Sequence, residues 1–185
     1  MKTESGSPAE SLVKAVHLFK AVKFLAVSAL LRRYLGSVGG MLWSLLNPLS
    51  MILIYWLAFS IFLRVSIDNY FLWLVSGLLP WTFLTTSCNT AINSFLIREG
   101  IIQATTVNKL TFVLADVSVE LLHLLIAFVV LIVVAAVTTR VPGLELLWLP
   151  VVAAPLVLST YGFAVAFAYL AVRLRDTGYL LGIFF

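Results

Sequence analysis

The sequence predicts an all-α, polytopic bundle of membrane-spanning helices, and three observations predict it. Nearly uncharged runs cover residues 43–63, 71–97, 117–137 and 146–172, each long enough at ~1.5 Å per residue to cross a ~30 Å hydrocarbon layer. The composition is 62% hydrophobic and 11% charged with a mean hydropathy of +1.10, whereas soluble domains carry about 25% charged residues. The runs lack the apolar and polar alternation of a membrane barrel, and in lipid a backbone outside a barrel satisfies its N–H and C=O groups only as a helix.

The elements follow in order. Residues 1–8 are polar and end in Pro8, which predicts a short disordered tail on the cytoplasmic side. Over 9–34, Leu12, Ala15, Val16, Phe19 and Val22 share one helical face while Lys14, His17 and Lys20 take the other, the pattern of an amphipathic helix lying in the membrane interface and in contact with lipid. Phe24 to Leu31 is apolar all round and too short to span, so it is expected to continue that helix buried against others. Arg32, Arg33 and Tyr34 anchor its end, and Gly36, Gly39 and Gly40 form an elbow into a transmembrane domain over 35–185.

Within that domain, Asn47-Pro48 is expected to kink the first span. Tyr70 and Trp73 anchor the second, and Gly77 with Pro80 predicts a break or kink in it. Beyond the break come Thr82, Thr85, Thr86, Ser87, Asn89, Thr90, Asn93 and Ser94, read either as hydrogen bonding between helices or as a hydrated path. The loop over 98–116 mixes charges with Ile101, Ile102, Val107, Leu110 and Phe112 and is expected to form a short cytoplasmic helix, resting on lipid or docking a soluble partner. A Pro142-Gly143 turn joins the last two spans. An incomplete fifth span opens near residue 177 and stops after nine residues, read either as a partial helix or, in preference, as the mark of a truncated polypeptide.

Orientation follows from the basic residues, because short loops rich in Lys and Arg stay in the cytoplasm. With the N-terminus inside, that side holds ten of the twelve, and the outside holds Arg64 and Arg140. The pI near 9.4 thus expresses topology and an anionic inner leaflet, with no reason to propose nucleic acid. The first run begins only at Trp43, contains Pro48 and lacks a following small-residue cleavage site, which argues against a cleavable signal peptide. The single cysteine, Cys88, excludes a disulfide within the chain and is read as an inert thiol.

Catalytic signatures are absent from the sequence: it has no phosphate-binding Gly-rich loop with its Lys and Ser or Thr, no nucleophile elbow and no paired-His metal motif. The chain is therefore not expected to be an enzyme, to hydrolyse ATP itself, or to need a metal or cofactor. Its notable intramembrane ionisable groups are Glu120 and His123, spaced i, i+3 on one helical face with Asp116 a turn earlier. Structural pairing is the leading reading, with Glu120 reaching water or Lys109. Subunit or substrate contact and metal or proton chemistry are the alternatives.

Three sequence blocks carry a resemblance. Arg33-Tyr34-Leu35-Gly36-Ser37-Val38-Gly39-Gly40-Met41-Leu42-Trp43-Ser44-Leu45-Leu46-Asn47-Pro48 resembles the lead into the first span of bacterial type-2 ABC exporter permeases, which export O-antigen, teichoic acid and capsular polysaccharide. Ser76 to Trp81 and Val172 to Leu181 are similar to later blocks of that family, in family order. The resemblance implies a permease in a bacterial inner membrane that pairs as a homodimer with a separate ATP-binding subunit and moves lipid-linked glycan outward. It also implies a fifth span, a re-entrant segment and a sixth span in full-length relatives.

By the same resemblance, the loop between spans two and three carries a coupling helix that docks on the ATPase, which maps onto Ile97, Arg98, Glu99, Ile101, Ile102, Gln103 and Lys109. Where relatives carry a basic pair followed by Phe-Pro-Arg, this chain reads Gln103-Ala104-Thr105-Thr106-Val107-Asn108-Lys109. Tyr55, Trp56, Trp73 and Trp81, with Asn89 and Asn93, are the candidate pathway, since aromatic faces stack on sugar rings and also anchor spans at interfaces. The rival readings are an ATP-independent small carrier or assembly scaffold, and a membrane-embedded enzyme using Glu120 and His123.

Overall fold

The computed structural model describes residues 8–34, 46, 50–51, 53–59, 70–98, 100, 108–138, 148–174 and 177–178. Its long elements are α1 (Pro8–Tyr34), α2 (Tyr70–Ile97), α3 (Lys109–Thr138) and α4 (Trp148–Arg173). Three stretches are long and apolar enough to cross a membrane, Tyr70–Phe95, Lys109–Ala136 and Trp148–Arg173. At ~1.5 Å per residue each runs about 40 Å, the thickness of a bilayer with its headgroups. Of the expected first span, 46, 50–51 and 53–59 are described and helical. Its remainder, the tail over 1–7, the Gly36 to Gly40 elbow, the Pro142-Gly143 turn and the run after 178 lie outside the described residues.

Helix α2 is the hub, packed along both α3 and α4, while α3 also packs on α4 and on α1. The reason is a pair of opposed rows on α2. Residues two apart on a helix point about 200° apart, so rows taken every fourth residue from Val75 and from Trp73 wind up opposite sides. The first row, Val75, Leu79, Phe83, Ser87, Ala91 and Phe95, is buried throughout. Its apolar members meet Val113, Val117 and Leu124 of α3 and Ala164 and Ala168 of α4 in one core. Small residues let α4 come close: Thr160, Ala164, Ala168 and Ala171 form its buried face, the arrangement that replaces the hydrophobic effect as the glue between helices in lipid.

Two expectations are corrected. The break expected in α2 does not occur: the helix runs without interruption through Pro80, as α4 does through Pro155. A proline removes only its own N–H from the ladder, and the bonds on either side persist where neighbouring helices enclose the turn. Helix α3 starts at Lys109, eight residues before the expected 117. Asn108 sets that start as an N-cap: its Oδ1 accepts from Leu110 N at 3.1 Å and its carbonyl from Thr111 N at 2.9 Å, satisfying two donors that a helix start leaves open. The short separate helix expected over 98–116 is thus, from residue 109, the first two turns of α3.

The Phe24 to Leu31 stretch is also only half enclosed. Leu25, Ala26, Ser28 and Ala29 are partly covered, whereas Phe24, Val27 and Leu31 turn away from the rest of the chain.

Candidate functional site

The end of α2 and the start of α3 are joined by a charged clasp. Arg98 follows the last residue of α2, where a cation complements the negative end of the helix dipole. Its Nη1 donates to Asp116 Oδ2 at 2.6 Å and its Nη2 to Asp116 Oδ1 at 2.8 Å, the two-pronged geometry for which a guanidinium is shaped. Nη1 also donates to Ser94 Oγ at 2.8 Å, and the guanidinium lies 5.8 Å from the centre of the Phe112 ring, within cation–π range. Hydrogen bonding to Asp116 raises the Arg98 pKa, against partial burial and with help from the Asp116 charge. Arg98 stays cationic throughout the physiological range.

Asp116 keeps only 7% of its side-chain surface exposed and Arg98 25%. That distribution explains why a carboxylate is tolerated two turns inside an apolar helix: a charge leaves water only when paired and hydrogen bonded. A turn further on, Glu120 Oε2 lies 3.2 Å from His123 Nδ1, both largely covered. The three residues expected on one face therefore divide into two pairs. Lys109 and Glu120 sit on one continuous helix about 16 Å apart along its axis, which replaces the expected contact between them. Among the described residues no group of three or more His, Cys, Asp and Glu is gathered to hold a metal ion.

The second feature is the row on α2 opposite the core: Trp73, Gly77, Trp81, Thr85, Asn89 and Asn93. Trp73 is 64% and Trp81 47% exposed, and Asn89 and Asn93 also face away from the chain. Four of the six candidate pathway residues thus fall on one winding row, aromatic at one end and amide at the other. Tyr55 and Trp56, on the helical residues 53–59, are exposed. The Trp56 ring packs edge-on to Phe71 of α2, 6.3 Å between centres.

The polar members of this row and their neighbours turn their donors inward. Thr86 Oγ1 donates to the Thr82 carbonyl at 2.6 Å, Asn89 Nδ2 to that of Thr85 at 3.0 Å, and Asn93 Nδ2 to that of Asn89 at 3.0 Å. Thr82 and Thr85 bond back in the same way. Bonding to the preceding turn lets such residues sit inside a membrane helix. A polar link between helices besides the clasp is Ser118 Oγ to Tyr161 Oη at 2.9 Å, tying α3 to α4.

Of the coupling residues inferred from sequence, Ile97 is 80% exposed, Lys109 is exposed, and Arg98 turns back onto Asp116. Glu99, Ile101, Ile102 and Gln103 lie outside the described residues. Sequence reasoning missed Ser94, Phe112 and Asp116 as partners of Arg98. The available signal was a lone Arg ending one apolar run and a lone Asp entering the next.

Apolar helices of spanning length and a buried charged clasp between two of them define a multi-pass helical membrane protein. No protein-family model matches the chain. Among curated proteins it is similar to an O-antigen export system permease protein RfbA of Klebsiella pneumoniae, 35% identical over 161 residues, 86% of this chain and 62% of the relative. A second Klebsiella pneumoniae protein of that name is 33% identical over 161 residues with the same coverage. A Myxococcus xanthus permease protein RfbA is 32% identical over 92 residues, 49% of this chain and 35% of the relative. The chain is thus similar to O-antigen export permeases, at 32–35% identity. It spans about 62% of the length of the Klebsiella relatives it matches.

Proposed function

We propose that the chain forms part of the membrane permease of an ATP-driven exporter that moves lipid-linked polysaccharide, of the O-antigen type, from the cytoplasmic to the outer face of a bacterial inner membrane. The observation that carries this reading is the likeness over 161 residues to O-antigen export permeases. In this reading ATP is hydrolysed on a separate subunit, since the chain carries no nucleotide-binding motif. The permease works as a homodimer. The N-terminus and the loop between α2 and α3 face the cytoplasm, in keeping with the basic residues gathered on that side.

The exposed row on α2 supports a role in the pathway. A face lined by lipid needs no Asn or Thr, and the corresponding face of α3 has none, showing Leu125, Val129, Val130 and Val133 instead. Asn89 and Asn93 would meet water, glycan or a second permease copy, with Trp73 and Trp81 offering ring faces to sugar C–H groups.

In cells encoding the chain, its deletion is expected to abolish surface polysaccharide while the glycan accumulates inside, and full surface display in the deletant overturns the proposal. Copurification supplies the second arm: an ATPase retained by the unaltered chain and lost with Ile102→Asp and Gln103→Asp together is expected. Unchanged retention removes the docking assignment. Orientation is read by cysteines introduced at Ser66 and Gln103, where an impermeant reagent on intact cells is expected to label only the first.

A further inference from the structure

We propose that Arg98 and Asp116 are positioning residues that transmit motion: their bidentate bridge fastens the end of α2 to the start of α3, so that a push on the intervening loop moves both helices together. The inference rests on the exporter reading above and adds to it a device within the membrane subunit.

Three observations carry it. The bridge joins residues 18 apart in sequence and is the point where the chain leaves one spanning helix and enters the next. Both prongs are satisfied, and a third bond to Ser94 with the Phe112 ring beneath fixes the guanidinium from four sides. Such a group is held in one rotamer, whereas a docking cation on a surface loop would remain extended into water. Asp116 belongs to the enclosed part of α3, next to Val113 and Val117 of the core. A displacement delivered at Arg98 is therefore passed to the helix that also carries the contacts with α4 and α1.

Motion passes through such a contact only while the two elements stay in register, because packed interfaces shift between discrete arrangements and do not stretch. With the bridge cut, the loop would still meet its partner but would drag α2 and α3 independently. The signature is uncoupling: hydrolysis continues and transport falls. A docking role for Arg98 predicts the reverse order, with association lost first and Asp116 dispensable.

The test uses the complete exporter in the cells that encode it, with Arg98→Gln and Asp116→Asn, each removing one charge of the pair, and Arg98→Lys, which keeps the cation and loses the fork. Membrane levels, copurified ATPase, ATP hydrolysis and surface polysaccharide are measured together. The expected result is normal ATPase association for all three, with polysaccharide exported per ATP hydrolysed reduced roughly tenfold, a typical size for coupling between sites. The Arg98→Gln/Asp116→Asn double variant is expected to be no worse than either single one.

Loss of association in Arg98→Gln with Asp116→Asn unaffected overturns the proposal in favour of docking. Full export per ATP in both Arg98→Lys and Asp116→Asn overturns it outright. Should Arg98→Gln fail to reach the membrane, Arg98→Lys and Asp116→Asn decide alone. An unaltered chain that captures no ATPase sinks the exporter reading itself and is recognised before any variant is made.

Discussion

The two halves of α3 are built from different chemistry although they belong to one unbroken helix. Between Lys109 and Leu124 lie Thr111, Asp116, Ser118, Glu120 and His123, and Thr111, Asp116 and Glu120 are buried. From Leu125 to Val137 every residue is aliphatic or Phe, and Leu125, Val129, Val130 and Val133 turn outward. Hydropathy alone makes both halves membrane helix. The distinction is in enclosure: the polar half buries Thr111, Asp116 and Glu120 and can hold charge, whereas the aliphatic half offers its outer face to lipid. On α3, the buried polar residues therefore mark where protein surrounds the helix.

That contrast breaks most readily at Asp116. Asp116→Leu strands the Arg98 guanidinium and is expected to cost about 3–5 kcal/mol, the range for breaking one side of a buried pair. Denaturant unfolding in detergent, followed by tryptophan fluorescence, measures it, and Arg98→Met added to Asp116→Leu is expected to restore most of the loss. Enclosure continues into α4, where Ala164→Leu adds volume at a site with 0% exposure and is expected to cost about 1–3 kcal/mol by overpacking. Tyr161→Phe removes the bond to Ser118 and is expected to cost about 0.6 kcal/mol, a typical hydrogen bond between membrane helices. At the other extreme, Val129→Leu on the open half should leave stability within about 0.5 kcal/mol. A cost at Val129 equal to that at Asp116 would erase the distinction between the halves.

How much was legible in the sequence follows the same division. The 71–97 run overlaps Tyr70–Ile97 and the 146–172 run overlaps Trp148–Arg173, because long runs without charge report their own helix. The start of α3 was hidden by its polar half: Thr111 and Asp116 read as loop when Asp116 is counted as a free charge, and the charge is cancelled by a partner 18 residues away. A window along the chain cannot see that partner. Asn108 as an N-cap was a local signal, available but unread. Gly77 with Pro80 pointed to a break that does not occur, since a proline is tolerated in a helix enclosed by neighbours. The candidate site was legible as a list of residues on α2, but their sharing of one face emerged only from the buried row that defines the opposite side.

The inward bonds of Thr86, Asn89 and Asn93 fix the character of the surface they leave behind. Each threonine hydroxyl has spent its only hydrogen on a carbonyl of the preceding turn, and each amide one of its two, so lone pairs outnumber hydrogens on the outward side. That strip therefore presents mostly acceptors to whatever lies against it.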